Sequence, residues 1–204
     1  MLSPALLLLS LVQAEPVKIA VDVSQVPELK EWAEKAKVLC EEWYPRTSDF
    51  LATPGFTPPG EFKIIFEKDK KGVADTSGAV IRVAADWVKK NPGDWGMIVH
   101  EMVHVVQSYP GGCPGWVTEG VADYVRYFQY EKKAVSPKER RGKSYKESYR
   151  TAASFLAWVT EKHDKEIVKK LNAAGRAGKY KDDLFKDAAG KDLDALWKDY
   201  LSAP

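Results

Sequence analysis

The chain has 204 residues, of which 45% are hydrophobic and seven are Trp. That excludes a disordered polypeptide and gives enough apolar surface for the core of one domain. Its net charge is +2, with 31 basic and 29 acidic side chains mixed along the length, so the basic stripe of a nucleic-acid binder is absent.

Residues 1–14, MLSPALLLLSLVQA, are apolar and uncharged. They fall short of the roughly 20 residues that span a bilayer, and they end on small or modest side chains. They read as a secretory signal cleaved after Ala14, with 15–204 as a single exported domain and no membrane association after cleavage. A retained anchor is the alternative. Residues 16–23, PVKIAVDV, alternate and are β-branched, which predicts a strand. In 26–45, Leu29, Trp32, Ala33, Ala36, Leu39 and Trp43 share one helical face, and Pro45 is expected to end that helix. A Pro/Gly-rich loop follows at 51–61, then a strand at 62–69, a glycine-containing turn and a strand at 79–84. Asn91 and Pro92 are expected to open the next helix, as N-cap and first helical residue. That helix stops at YPGGCPG (109–115), and another runs from about Trp116 to Lys132. A polar loop occupies 135–144. The remainder, from Tyr145 to Leu201, is helical in pattern with breaks near Gly175, Gly178 and Gly190. A small N-terminal sheet followed by a mainly helical half is the α+β class, and a monomer is expected.

Two of the three histidines, His100 and His104, stand four residues apart in GDWGMIVHEMVHVVQSYPGG. On a helix that spacing brings both imidazoles to one point, one turn apart. Zn²⁺ takes imidazole nitrogens at about 2.0 Å in a tetrahedral shell. Glu101 is rotated about a hundred degrees from His100, too far to be a third ligand but well placed to act on a water at the metal. The flanking Ile98, Val99, Met102, Val103, Val105 and Val106 predict a helix buried nearly all round, where polar groups need partners or a task. A third histidine six residues after His104 would suit one class of zinc enzyme, but Pro110 stands there. The carboxylate of Glu119, fifteen residues after His104 and across a Gly-rich turn, is the expected third ligand. Asp123, one turn further, is expected to hold the other ring nitrogen of a ligand histidine. The reverse assignment, Asp123 as ligand and Glu119 in support, is the alternative. Gly120 and Ala122 are small enough for close helix approach. Cys40 and Cys113 are expected to form a disulfide that pins the loop after the histidine helix; two free thiols, or Cys113 as a metal ligand, remain open. His163, in the charged TEKHDKE, reads as a surface residue.

HEMVHVVQSYPGG followed by PGWVTEGVADYVRY resembles the basic secretory protein family of plants and bacteria. The likeness extends to EEWYP (41–45), SYKESYRTAASFLAWV (144–159) and LDALWKDY (193–200). The family is grouped with the zincin metallopeptidases, with a gluzincin-like HExxH…E pattern. The resemblance implies a secreted, single-domain, zinc-dependent peptidase acting on peptide or protein substrates. Glu101 is then the expected general base. Tyr149 and Tyr145, at the start of the helix after the polar loop, are candidates to stabilise the oxyanion. The strand at 79–84 is expected to offer an edge to extended substrate. A non-catalytic zinc-containing binding module, and a zinc hydrolase of a non-peptide cell-wall amide, are the alternatives.

Overall fold

The computed structural model describes residues 16–134 and 142–203. The expected signal at 1–14 and most of the polar loop at 135–144 thus lie outside the described residues. Among the described residues the architecture is α+β: a four-stranded sheet and eight α-helices. The strands are β1 (Lys18–Asp22), β2 (Glu61–Glu67), β3 (Ala74–Ser77) and β4 (Val80–Ala84), in the order β1-β2-β4-β3. β1, β2 and β4 run parallel and β3 antiparallel to β4. In β2, Phe62, Ile64 and Phe66 are buried while Lys63, Ile65 and Glu67 are partly exposed, the alternation of a strand with one covered face. Ile64 sits opposite Ile81 of β4, so register and apolar pattern agree.

β3 has no hydrophobic alternation, and nothing in ADTS announces a strand; pairing with β4 makes it one. The strand expected at 79–84 is present as β4, but it does not form an edge. β4 is interior, and β3 is the edge strand on that side of the sheet, with β1 at the other.

α1 (Lys30–Phe50) covers the sheet with Ala33, Ala36, Cys40, Tyr44 and Thr47. It continues past Pro45, where the expected end does not occur. A proline forfeits one helical hydrogen bond, here to the carbonyl of Glu41, and both residues are exposed, so water can satisfy that oxygen. α2 (Ala85–Lys90) is short, and Asn91 closes it rather than opening its successor: its amide and side chain both donate to Trp87 O, at 2.8 and 3.1 Å. α3 (Trp95–Gln107) therefore begins three residues later than expected, with Asp94 rather than Asn91 before it.

α4 (Gly115–Tyr124) continues into a wider π-turn at Val125–Tyr130. Arg126 in that turn bonds Asp94 at 2.6 Å and Glu131 at 3.0 Å, tying it to the start of α3. α5 is Tyr149–Lys162, α6 Ile167–Arg176, α7 Asp183–Ala189 and α8 Leu193–Ser202. A β-carbon on Gly120 would stand 3.0 Å from the Ala152 β-carbon, so glycine is what lets α4 and α5 pack so closely. The break between α5 and α6 was not expected. Asp164 makes it by accepting the Glu166 N–H at 3.0 Å, an Asx turn, and His163 beside it is exposed. Gly175 lies inside α6, whereas Gly178 and Gly190 do interrupt the helices, with φ of +62° and +69°.

Cys40 and Cys113 are both free thiols, so the expected disulfide is absent. Cys40 is fully buried in the core face of α1, whereas Cys113 packs at the α3–α4 turn near Tyr109 and Thr118. Burial pushes both thiols up, which leaves neither a ready thiolate. Among the described residues, no helix is long and apolar enough to cross a membrane.

Candidate functional site

α3 is buried along almost its whole length, and this decides what its polar residues can do. Ile98, Val99, Met102, Val103, Val105 and Val106 have no exposed surface, and His100 and Glu101 are only 7% exposed. Buried polar groups of this kind persist only when partnered.

Each partner is present. His100 Nδ1 lies 2.7 Å from Asp123 Oδ1 on α4. His104 Nδ1 lies 2.7 Å from Gln107 Oε1, three residues along α3. The Gln107 amide is oriented by its own donations, to Thr118 O at 2.9 Å and to Tyr109 Oη at 3.4 Å. Both imidazoles therefore donate from Nδ1, and both Nε2 lone pairs face inward. The two Nε2 atoms are 3.1 Å apart, and Glu119 Oε2 stands 3.1 Å from the first and 3.4 Å from the second.

Three acceptors thus converge on one point, an arrangement that needs a cation or an added proton. Burial opposes charge on His100, but the bonds to Asp123 and Glu119 outweigh it and raise its pKa to about 9. Burial likewise favours a neutral Glu119, yet its bonds to His100 and His104 hold it down at about 2. Donors held about 2.0–2.1 Å from a tetrahedral centre stand roughly 3.3 Å from one another, which matches these separations. His100, His104 and Glu119 are the group that could hold a metal ion among the described residues; Cys113 and Asp123 are not members of it. Two imidazoles and one carboxylate are a donor set that suits zinc.

Glu101 lines the same cleft as this group but is held separately from it. Its Oε2 accepts the Thr76 hydroxyl at 2.7 Å, so the edge strand β3 aims its carboxylate. A cleft of about 380 Å³ opens here, with β3 (Ala74, Thr76) on one side and Tyr149 on another.

A family model described as a peptidase of plants and bacteria matches residues 42–200. The chain belongs to this family. It is the basic secretory protein family that the two motif segments resemble. No curated protein and no solved structure matches the chain.

In this basic secretory protein the two tyrosine candidates part company. Tyr149 is 55% exposed, lines the cleft, and stacks its ring 6.0 Å from that of His100. The Glu119 carboxylate, then burial, pushes its phenol up, which keeps it a hydrogen-bond donor. Tyr145 is buried in an aromatic cluster with Trp116, Phe155 and Trp197, its hydroxyl turned to Asp194, and does not line the cleft. Of the two oxyanion candidates, Tyr145 is therefore not placed at the cleft.

Two residues at the site were not anticipated. Gln107 carried a usable signal, since it lies one turn after His104 on the same helical face. Thr76 carried none, because its contact with Glu101 spans twenty-five residues and depends on strand pairing. Beneath both, Arg176 of α6 donates to Val106 O at 2.7 Å and Gln107 O at 3.1 Å, capping the last carbonyls of α3. Arg176 also bonds Leu51 O and Thr53 Oγ1, at 2.8 and 2.6 Å.

Proposed function

We propose that this protein is an exported zinc metallopeptidase of zincin type, a single domain in which His100, His104 and Glu119 hold the ion. The observation that carries the reading is the inward convergence of two Nε2 lone pairs and one carboxylate oxygen, at 3.1–3.4 Å, beside a separately held glutamate. Zinc in such a site supplies Lewis acidity, polarising a carbonyl and easing the ionisation of water near neutral pH.

The remaining steps belong to the chain. Asp123 and Gln107 keep both histidines in the tautomer that presents Nε2, and Asp123 favours the more basic ring. Glu101, aimed by Thr76, accepts the proton of the attacking water and returns it to the departing amine nitrogen. The Tyr149 hydroxyl, at the mouth of the cleft, donates to the oxygen on which negative charge develops. The free edge of β3 offers backbone groups to an extended peptide, the role first expected of β4.

The test is Glu101→Gln. The variant is expected to bind one zinc per chain as the wild type does, while hydrolysis of a peptide library falls by at least about 100-fold. Full turnover by the variant would remove Glu101 from the reaction. Stoichiometric zinc without cleavage of any peptide by the wild type would favour a binding module, or an amide outside peptides.

A further inference from the structure

Beside the cleft lies a second cavity, of about 460 Å³, which shares Glu119 and Tyr149 with it but touches no residue of β3. Its walls come from Pro114 and Trp116 at the start of α4 and from Lys146, Ser148 and Tyr149 at the start of α5. A peptide lying across the site from β3 would pass Tyr149 and place the next residue here.

Two ionic side chains line this cavity. The Glu119 carboxylate is already engaged by two imidazoles, at 3.1 and 3.4 Å. Lys146 is exposed, and its ammonium rests over the Tyr145 ring at 5.3 Å. Among the described residues it makes no ion pair, and the neighbouring Glu147 carboxylate is taken up by the Lys143 N–H at 2.6 Å. The uncommitted charge of the cavity is therefore positive. Trp116, Pro114 and Tyr149 give it apolar walls, against which the methylene stem of a side chain can pack while its end meets Lys146.

Resting on the function proposed above, we infer that this cavity receives a carboxylate-bearing residue of the substrate next to the scissile bond. The carboxylate comes from an Asp or Glu side chain or from a free C-terminus. An opposite charge beside Lys146 lowers the energy of the bound peptide, and a basic residue there is repelled. Because Lys146 is exposed, the discrimination is modest and sensitive to salt.

The experiment uses the zinc-loaded wild type, Lys146→Ala and Lys146→Glu. The substrates are matched peptides with Glu, Gln, Leu or Lys next to the cleavage point, each with a free or an amidated C-terminus. Glu is expected to exceed Gln by about three- to tenfold in kcat/KM. That preference should vanish in Lys146→Ala and reverse towards Lys in Lys146→Glu. If the preference instead follows the free C-terminus at every side chain, the carboxylate is the terminal one. Equal cleavage of the Glu, Gln and Lys peptides, a preference for Leu, or a preference unchanged by Lys146→Glu overturns the inference and leaves the peptidase reading standing. No cleavage of any peptide by the wild type removes both.

Discussion

Replacing Gln107 with leucine tests whether the proposed metal site is built by hydrogen bonds reaching beyond its three donors. Gln107 is 1% exposed, and its amide meets His104 Nδ1 at 2.7 Å, Thr118 O at 2.9 Å and Tyr109 Oη at 3.4 Å. Leucine fills similar space but leaves the imidazole N–H and the Thr118 carbonyl facing an apolar group. Each unmet buried partner costs about 1–3 kcal/mol, so the metal-free protein should lose roughly 2–6 kcal/mol of stability. The His104 ring also becomes free to turn or to change tautomer. Loss of such an orienting partner costs about 10- to 100-fold in metal affinity, or about 1.4–2.8 kcal/mol. Gln107→Glu separates the two effects. It keeps an acceptor for Nδ1–H but sets a carboxylate against Thr118 O, so zinc affinity should recover in part while stability does not. Competition with a chromophoric chelator reads the first quantity, and urea unfolding of the metal-free protein the second. If the leucine variant bound zinc as tightly as the wild type and lost stability alone, Gln107 would be a packing residue and the tautomer argument would fail.

Tyr149→Phe should retain zinc and its KM while kcat falls by about 100-fold, the scale of one oxyanion donor; an unchanged kcat would take the phenol out of the chemistry. Gly175→Ala puts a β-carbon 2.8 Å from Tyr109 Cζ and displaces a ring whose hydroxyl bonds Asn172 at 3.2 Å. It should cost about 1–3 kcal/mol in chemical denaturation despite the better helix propensity of alanine, and a neutral result would contradict the close approach. The unreduced protein should take up two alkyl groups once unfolded, with Cys113 reacting before Cys40 in the folded state; a mass two hydrogens lighter and no uptake would restore the disulfide.

The convergence of His100 and His104 was readable because helical periodicity converts spacing into direction, whereas Glu119, on the next helix, was reached from the need for a third donor. Spacing likewise placed Asp123 one turn from Glu119. What escaped was set by contacts between distant segments. β3 is polar and becomes a strand only by pairing with β4, so its place as the free edge, and the bond from Thr76 to Glu101, had no local signature. Tyr145 and Tyr149 are four residues apart with similar surroundings in sequence. Only the packing of Trp116, Phe155 and Trp197 around the first sends it to the core. Asn91 could cap backward or forward, and its bond to Trp87 O decided between them. The even cysteine count and the expected export do not make a disulfide, because Cys40 faces the core from α1 while Cys113 sits at the α3–α4 turn.

Arg176 joins the tail of α3 to Leu51 and Thr53, segments separated from it by more than a hundred residues. A fragment ending after α5 would contain His100, His104 and Glu119, yet the last carbonyls of its histidine helix would lack the guanidinium that caps them. Transplanting the short motif into a foreign scaffold would meet the same difficulty, because the contacts that hold the end of the histidine helix extend into α6.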